Sequence, residues 1–249
     1  MRYAGVLFDL FGTLVAPYRT REHQGIMRIC ADQLGISFED CYRFSGETYP
    51  RRMRGEFASM ADNLDEIARL AGRRVTRECL SQAERVFEQF TRESLDPVAG
   101  ALELLEWLTG QGLRLGLVSN CAPDVPRVWS QLEFARYFEF CAFSCQMGSV
   151  KPEPAIYHSA LKALGLRPEE TLYVGDGSDD ELSGAAACGL QPVLVTVDLS
   201  NTYDSRRSDV DEWSGRVIRG LPDLRALIEE IDRDPAPSAL HWSRRVSTD

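Results

Sequence analysis

The chain has 249 residues, of which 44% are hydrophobic and 27% charged, ordinary globular values that exclude a collagen-like, low-complexity or wholly disordered polymer. Lys and Arg number 28 against 38 Asp and Glu, and the resulting net charge of −10 makes nucleic acid and anionic membrane poor partners. Residues 16–96 carry 13 Arg and 14 acids, residues 97–249 carry 14 basic and 23 acidic groups, and Lys151 and Lys162 are the only lysines.

The N-terminal run Tyr3–Phe8 is short, apolar and interrupted by Asp9, with no small-residue cleavage site after it, so it reads as a buried strand rather than a signal peptide. Residues 16–96 contain no convincing strand and several helix starts, including the capping patterns Ser37-x-x-Asp40 and Ser59-x-x-Asp62, and read as an all-helical insert of four or five helices. Pro17 and Asp96-Pro97 mark its limits. Beyond it, strand patterns at 113–120, 140–144, 171–176 and 192–197 alternate with helical patterns at 97–110, 124–134, 154–164, 180–188 and 222–232. That alternation predicts an α/β fold with a parallel sheet covered on both faces. The expected organisation is therefore a core of residues 1–15 and 97–232, a helical insert of 16–96, and a loose tail of 233–249 with Trp242 as a candidate for docking on the body. Seven scattered cysteines without a C-x-x-C pair read as reduced thiols of a cytoplasmic protein, and no window reaches the roughly 18 apolar residues of a spanning helix.

In a parallel sheet, ligands bind beyond the carboxyl ends of the strands, and three of these strands end in polar residues: Asp9, Ser119-Asn120 and Asp176. The segments FDLFGTLV at 8–15, LVSN at 117–120, Lys151-Pro152 and VGDGSDDE at 174–181 resemble the four ordered motifs of the haloacid dehalogenase superfamily, with a C1-type helical cap between the first and second. The resemblance spans about residues 3–232. It implies a Rossmann-like core, an aspartate nucleophile and a mobile cap that shapes the substrate pocket.

Asp9 is the candidate nucleophile, forming a covalent aspartyl intermediate; in isolation it would read as a turn residue before Gly12. Thr13 and Ser119 offer hydroxyls, Asn120 an amide and Gly12 a close backbone approach to bind substrate oxyanions. Lys151 is placed to neutralise both nucleophile and transferring group. Asp176, Asp179, Asp180 and Glu181 put four carboxylates into six positions, which calls for a shared divalent cation. The resemblance implies Mg²⁺ held by Asp9, the Phe11 carbonyl and Asp176, helped by Asp180 or Glu181, while Asp179 alone is explained by a helix N-terminus. Of Arg51, Arg52 and Arg54 in the insert, at least two are expected to be solvated surface charges.

Two departures pull apart. The phosphatase branch carries a second Asp where this chain has Phe11, and that Asp protonates the leaving oxygen, a contribution of about 10²–10⁴-fold. An aromatic residue there belongs to the dehalogenase branch, yet the acids at 176–181 are the Mg²⁺-dependent form. Clustered acids would repel a haloacid carboxylate, whereas metal-assisted phosphoryl transfer tolerates a missing acid when the leaving group is good. The expectation is a Mg²⁺-dependent phosphatase acting on a small anionic metabolite, with acyl phosphates, phosphoanhydrides or aryl phosphates favoured. The alternatives are a metal-free 2-haloacid dehalogenase using Asp9, Thr13, Ser119, Asn120, Lys151 and Tyr157, and a catalytically impaired binding module. Carbon–phosphorus cleavage, which in the family relies on a cap lysine, is disfavoured because residues 16–96 contain none.

Overall fold

The computed structural model describes residues 1–202, 209–210 and 213–233; the expected tail and Trp242 lie outside the described residues apart from Arg233. Its strands are β1 (Gly5–Phe8), β2 (Arg114–Ser119), β3 (Phe140–Phe143), β4 (Thr171–Gly175), β5 (Gln191–Val195) and β6 (Arg216–Ile218). They form one sheet in the order β3-β2-β1-β4-β5-β6, and every pairing is parallel. Side-chain alternation along β1 sends Val6 and Phe8 to one face and Leu7 to the other. The first face packs on α5 (Ala101–Gly110) and α10 (Pro222–Arg233) through Leu104, Leu105, Leu108, Leu224 and Ile228. The second packs on α8 (Pro154–Leu164) and α9 (Glu181–Ala187) through Ile156, Tyr157, Leu161 and Leu182. Burial on both faces is why these strands read as unbroken apolar runs.

Between β1 and α5 the chain forms α1 (Thr20–Leu34), α2 (Phe38–Met53), α3 (Met60–Leu70) and α4 (Arg77–Ser94), with an apolar cluster of their own that includes Met27, Leu34, Leu64, Ile67 and Phe87. Ser37 and Ser59 cap α2 and α3 as the sequence predicts, accepting from the backbone N–H of Asp40 at 3.0 Å and of Asp62 at 3.1 Å. Thr76 caps α4 in the same way.

Three local expectations change. The helix expected from 97 begins at Ala101, because Pro97 bridges to Val15 and Gly100 adopts a left-handed φ of 80°. The pattern at 124–134 divides into α6 (Asp124–Trp129) and a 3₁₀ turn at Glu133–Tyr137. Strand β6 was not anticipated: it is a three-residue edge in which only Ile218 is buried.

Among the described residues, ion pairs join the helical insert to the core at two seams. Arg54 pairs with Glu153 ahead of α8, and Arg127 of α6 pairs with Glu84 and Glu88 of α4. Beside the first seam lies the short helix α7 (Ser144–Met147). There Gly55 has a φ of 75°, and a Cβ on it would sit 2.0 Å from the Cys145 carbonyl oxygen. Replacing Gly55 by Ala is therefore expected to destabilise the protein by about 1–3 kcal/mol, read as a lower urea midpoint; an unchanged midpoint would show that this approach is not a constraint.

Candidate active site

Because β1 lies between β2 and β4, with Phe8 level with Leu117 and with Val174, the residues that follow these strands are neighbours. Asp9 is 3% exposed and its N–H donates to the Val174 carbonyl at 2.9 Å. The turn that follows needs Gly12: its φ is 81°, and a Cβ there would lie 1.8 Å from Asp176 Oδ2. Leu10 anchors the turn by accepting from the N–H groups of Thr13, Leu14 and Val15.

Lys151 is 3% exposed, and its ammonium donates to Asp9 Oδ1 and, at 2.6 Å, to Glu181 Oε2. Burial works against that charge, but the Asp9 and Glu181 carboxylates outweigh it and hold the Lys151 pKa well above its ordinary value. Glu181 also accepts from the Tyr173 hydroxyl at 2.7 Å and, on its other oxygen, from the Gly177 N–H at 2.9 Å. Burial, and then the Asp9 charge, push Glu181 upward despite Lys151.

Asn120, expected to contact substrate, lines the cavity, yet its side chain already joins two loops of the protein. Its Oδ1 accepts from the Lys151 N–H at 2.8 Å and its Nδ2 donates to Asp179 Oδ2 at 2.8 Å. Asp179 and Asp180 follow Gly177 in a left-handed conformation, each with a φ of 53°, a conformation that Asp tolerates better than most residues. Tyr157 is fully buried, and its hydroxyl donates to the Glu181 carbonyl at 2.9 Å.

Asp9, Asp176 and Glu181 form a buried group whose offered oxygens all lie within 4.8 Å of one another; Asp180 is not part of it. The donor set fits a hard divalent cation. It contains three carboxylates against one ammonium, and Asp9 Oδ2 is buried without a hydrogen-bond partner among the described residues. Glu181 is the member with both oxygens already engaged, so the candidate direct ligands are Asp9 and Asp176. Thr13 Oγ1 is likewise buried without a partner. Ser119 Oγ has no nitrogen or oxygen partner among the described residues and lies by the Cys121 thiol.

A cavity of about 110 Å³ opens from Asp9, Phe11 and Lys151 toward the inner faces of the helical insert. Phe11 packs on Tyr18 in a tilted arrangement at 4.6 Å between ring centroids, and Tyr18 stacks with Phe90 at 5.2 Å, so an aromatic wall leads away from Asp9. Of the three arginines, Arg51 is exposed and paired with Glu56 and Glu66, Arg54 is exposed and paired with Glu153, and only Arg52 is buried and lines the cavity. His23, Asn63, Thr91 and Asp124, which nothing in the sequence singles out, also line the cavity. Helical spacing in α1, α3 and α4 does not reveal which polar residue turns inward.

The model of the haloacid dehalogenase-like hydrolases matches residues 3–189, and the chain belongs to that family. It is a hydrolase of α/β fold. Haloacid dehalogenase-like hydrolase domain-containing protein 3 of Bos taurus is 26% identical over 183 residues, covering 72% of this chain and 73% of that protein. Glyceraldehyde 3-phosphate phosphatase of Methanocaldococcus jannaschii is 23% identical over 239 residues, covering 92% and 99%. The crystal structure of 2-haloacid dehalogenase from Pseudomonas syringae superposes with a TM-score of 0.67 at 21% identity, covering 92% of this chain and 99% of that one; at that identity it speaks to the fold alone.

The cavity wall has its own titration. Burial and the Arg52 charge push His23 down to about 4, so the folded state favours the neutral ring and loses stability as pH falls from about 6.5 toward 4. The loss should be on the order of 2–3 kcal/mol. The contributions of the Glu66 and Glu153 carboxylates, held down to about 2 by their arginine partners, are lost only from about 4.5 downward, at the lower edge of that window. Urea denaturation at pH 7 and pH 4.5 should show the change in stability of the wild type to be less favourable than that of His23→Gln by about 2–3 kcal/mol, a difference from which the opposing contribution of the raised Glu181 carboxyl cancels. An equal change in both proteins would rule His23 out as the cause.

Proposed function

We propose that the protein is a Mg²⁺-dependent phosphohydrolase that acts on a small anionic phosphorylated metabolite through an aspartyl-phosphate at Asp9. The observation that carries this reading is the pairing of an unpartnered Asp9 Oδ2 with a buried excess of carboxylate over ammonium at the mouth of a cavity. The phosphatase named among the relatives supports it.

In this reading Asp9 Oδ2 attacks phosphorus while the bond to the leaving oxygen breaks and its electron pair departs with that oxygen. Water then attacks the phosphorus of the aspartyl-phosphate, the bond to Asp9 breaks, and inorganic phosphate and the free carboxylate are regenerated. The Lys151 ammonium donates to Asp9 and offsets phosphoryl charge. The Thr13 and Ser119 hydroxyls and the backbone at Gly12 donate to the equatorial oxygens. Asp9, the Phe11 carbonyl and Asp176 hold the cation, with Glu181 acting through its charge and through its grip on Lys151; Asp180 has no ligand role. When bound, Mg²⁺ supplies charge stabilisation to the transferring group. Residues 16–96 act as the cap that closes the site against water. The seven free cysteines suit a reducing, cytoplasmic compartment.

Phe11 brings no proton to the leaving oxygen, so the leaving group must depart as a weakly basic anion, which selects acyl, anhydride or aryl phosphates. The dehalogenase alternative is the weaker reading, since the Tyr157 hydroxyl it would draw on is held by Glu181 and Tyr157 is absent from the cavity lining.

Phosphate release from acetyl phosphate, phenyl phosphate and an alkyl phosphate, measured with Mg²⁺ and with chelator, tests the proposal. Chelator should abolish turnover and added Mg²⁺ restore it. Asp9→Asn should cost at least about 10³-fold, and the alkyl ester should trail the others by about 10²-fold or more. Halide release from a 2-haloacid in chelator would overturn the mechanism, and equal rates on all three phosphates would overturn the role given to Phe11.

A further inference from the structure

We infer, building on the phosphohydrolase reading, that the far wall of the cavity is a subsite for an amino-acid-like zwitterion, so that the leaving group carries a carboxylate and an ammonium at the end of an apolar stem.

The anionic half follows from Arg52 and Asn63. Arg52 is 6% exposed, and its Nη1 donates to the Ser45 carbonyl at 3.3 Å, to Thr48 Oγ1 at 3.5 Å and to Asn63 Oδ1 at 2.9 Å. An arginine only donates, so the contact fixes the orientation of the Asn63 amide: its oxygen faces Arg52 and its NH₂ faces away. Asn63 is fully buried, and that Nδ2 has no hydrogen-bond partner among the described residues. The Asn63 NH₂ is a donor that takes an acceptor, and the Arg52 guanidinium on the same cavity wall favours an anionic one, a carboxylate.

The cationic half follows from Asp124 at the start of α6, on the core side of the same cavity. It is 4% exposed, its Oδ2 accepts the Thr91 hydroxyl, and its Oδ1 has no hydrogen-bond partner among the described residues. An unpartnered carboxylate oxygen lining a cavity takes a donor, and an ammonium there would add to the Arg52 charge in offsetting the burial that pushes Asp124 up. A buried donor or acceptor left unmade is costly, and Asn63 and Asp124, which both line this cavity, supply one of each. Between them and Asp9 runs the Phe11, Tyr18 and Phe90 wall, which accommodates an apolar or aromatic stem. Water alone could satisfy either polar atom, but water at these positions creates no preference for a charged leaving group.

The test uses the full chain with Mg²⁺ and four aryl esters: phenyl phosphate, the phosphate ester of 3-(4-hydroxyphenyl)propionate, tyramine phosphate and O-phospho-L-tyrosine. They carry neither group, the carboxylate, the ammonium, and both. The expected result is a kcat/KM that rises about tenfold or more for each group added. Asp124→Asn should collapse the ratio of the zwitterion to the carboxylate-only ester toward one. Asn63→Leu and Arg52→Gln should collapse its ratio to the ammonium-only ester, with Arg52→Lys restoring part of it. Each ratio is taken within one preparation and is independent of how much of a variant folds. If the wild-type protein hydrolyses phenyl phosphate but treats all four esters within threefold, the subsite is overturned and the phosphohydrolase reading stands. If it releases phosphate from none of them, nor from acetyl phosphate, that reading itself fails.

Discussion

The buried ammonium of Lys151 is the interaction on which the site depends. A lone ammonium in a protein interior costs several kcal/mol, and here the chain surrounds it with Asp9 from the end of β1 and Glu181 from the start of α9. Glu181 is fixed in turn by Tyr173 of β4 and the backbone of Gly177, and the Lys151 backbone is fixed by Asn120 at the end of β2. One cation thus ties three neighbouring strand ends to the loops that follow them. It also leaves the charge unbalanced. With Asp9, Asp176 and Glu181 buried together and one ammonium among them, the site retains a demand for positive charge that a divalent cation meets and a second lysine, absent from all but position 162, does not.

Asp209 extends this framework from outside the motifs. It is 6% exposed; its Oδ2 accepts from the N–H groups of Leu182 and Ser183 at 2.8 and 3.0 Å, and its Oδ1 accepts from the Ser183 hydroxyl at 2.8 Å. These contacts cap the first turn of α9, where donors would otherwise be unpaired, and so fix the helix that presents Glu181. Phe11 links the same centre to the insert. Phe11 begins an aromatic row through Tyr18 to Phe90 of α4, so the residue two positions after Asp9 also shapes the cavity beside it.

The parts of this arrangement that the sequence exposed are those with a strong one-dimensional signature. Runs buried on both faces announced β1 through β5, and the polar residue ending three of them announced the site, because register in a parallel sheet brings strand ends together whatever the connections. The side-chain oxygens of Ser37 and Ser59 act locally, so their capping roles were legible too. What was hidden depends on orientation across long separations. Glu181 and Asp180 are adjacent in sequence, yet only Glu181 joins the buried acid group, because α9 begins there. Asn120 has the chemistry to bind substrate, but the Lys151 backbone and Asp179 lie within its reach. Arg51, Arg52 and Arg54 look alike in the chain; their places in the last turn and C-cap of α2 send two outward to carboxylates and one inward. Asp124 reads as an acid at a helix start, and nothing local reveals that it faces Thr91 of the insert.

The same geometry refines what the net charge of −10 means for an anionic substrate. The arginine-rich insert looks at first like a counterweight to an acidic core. Yet Arg43, Arg51, Arg54 and Arg69 sit in exposed ion pairs with Asp40, Glu56, Glu66 and Glu153, and exposed pairs of this kind are screened by solvent and contribute little field at a distance. The positive charges that matter to a substrate are those held in low dielectric, where Coulomb interactions are several times stronger: Lys151 at one end of the cavity and Arg52 at the other, both nearly buried. Each is matched by a nearby carboxylate, Asp9 in one case and, through its field, Asp124 in the other. In the proposed reading, a pocket built from two such dipolar ends would select by the placement of charge along a ligand more than by its sum, and an acidic protein would need no basic surface to bind an anion.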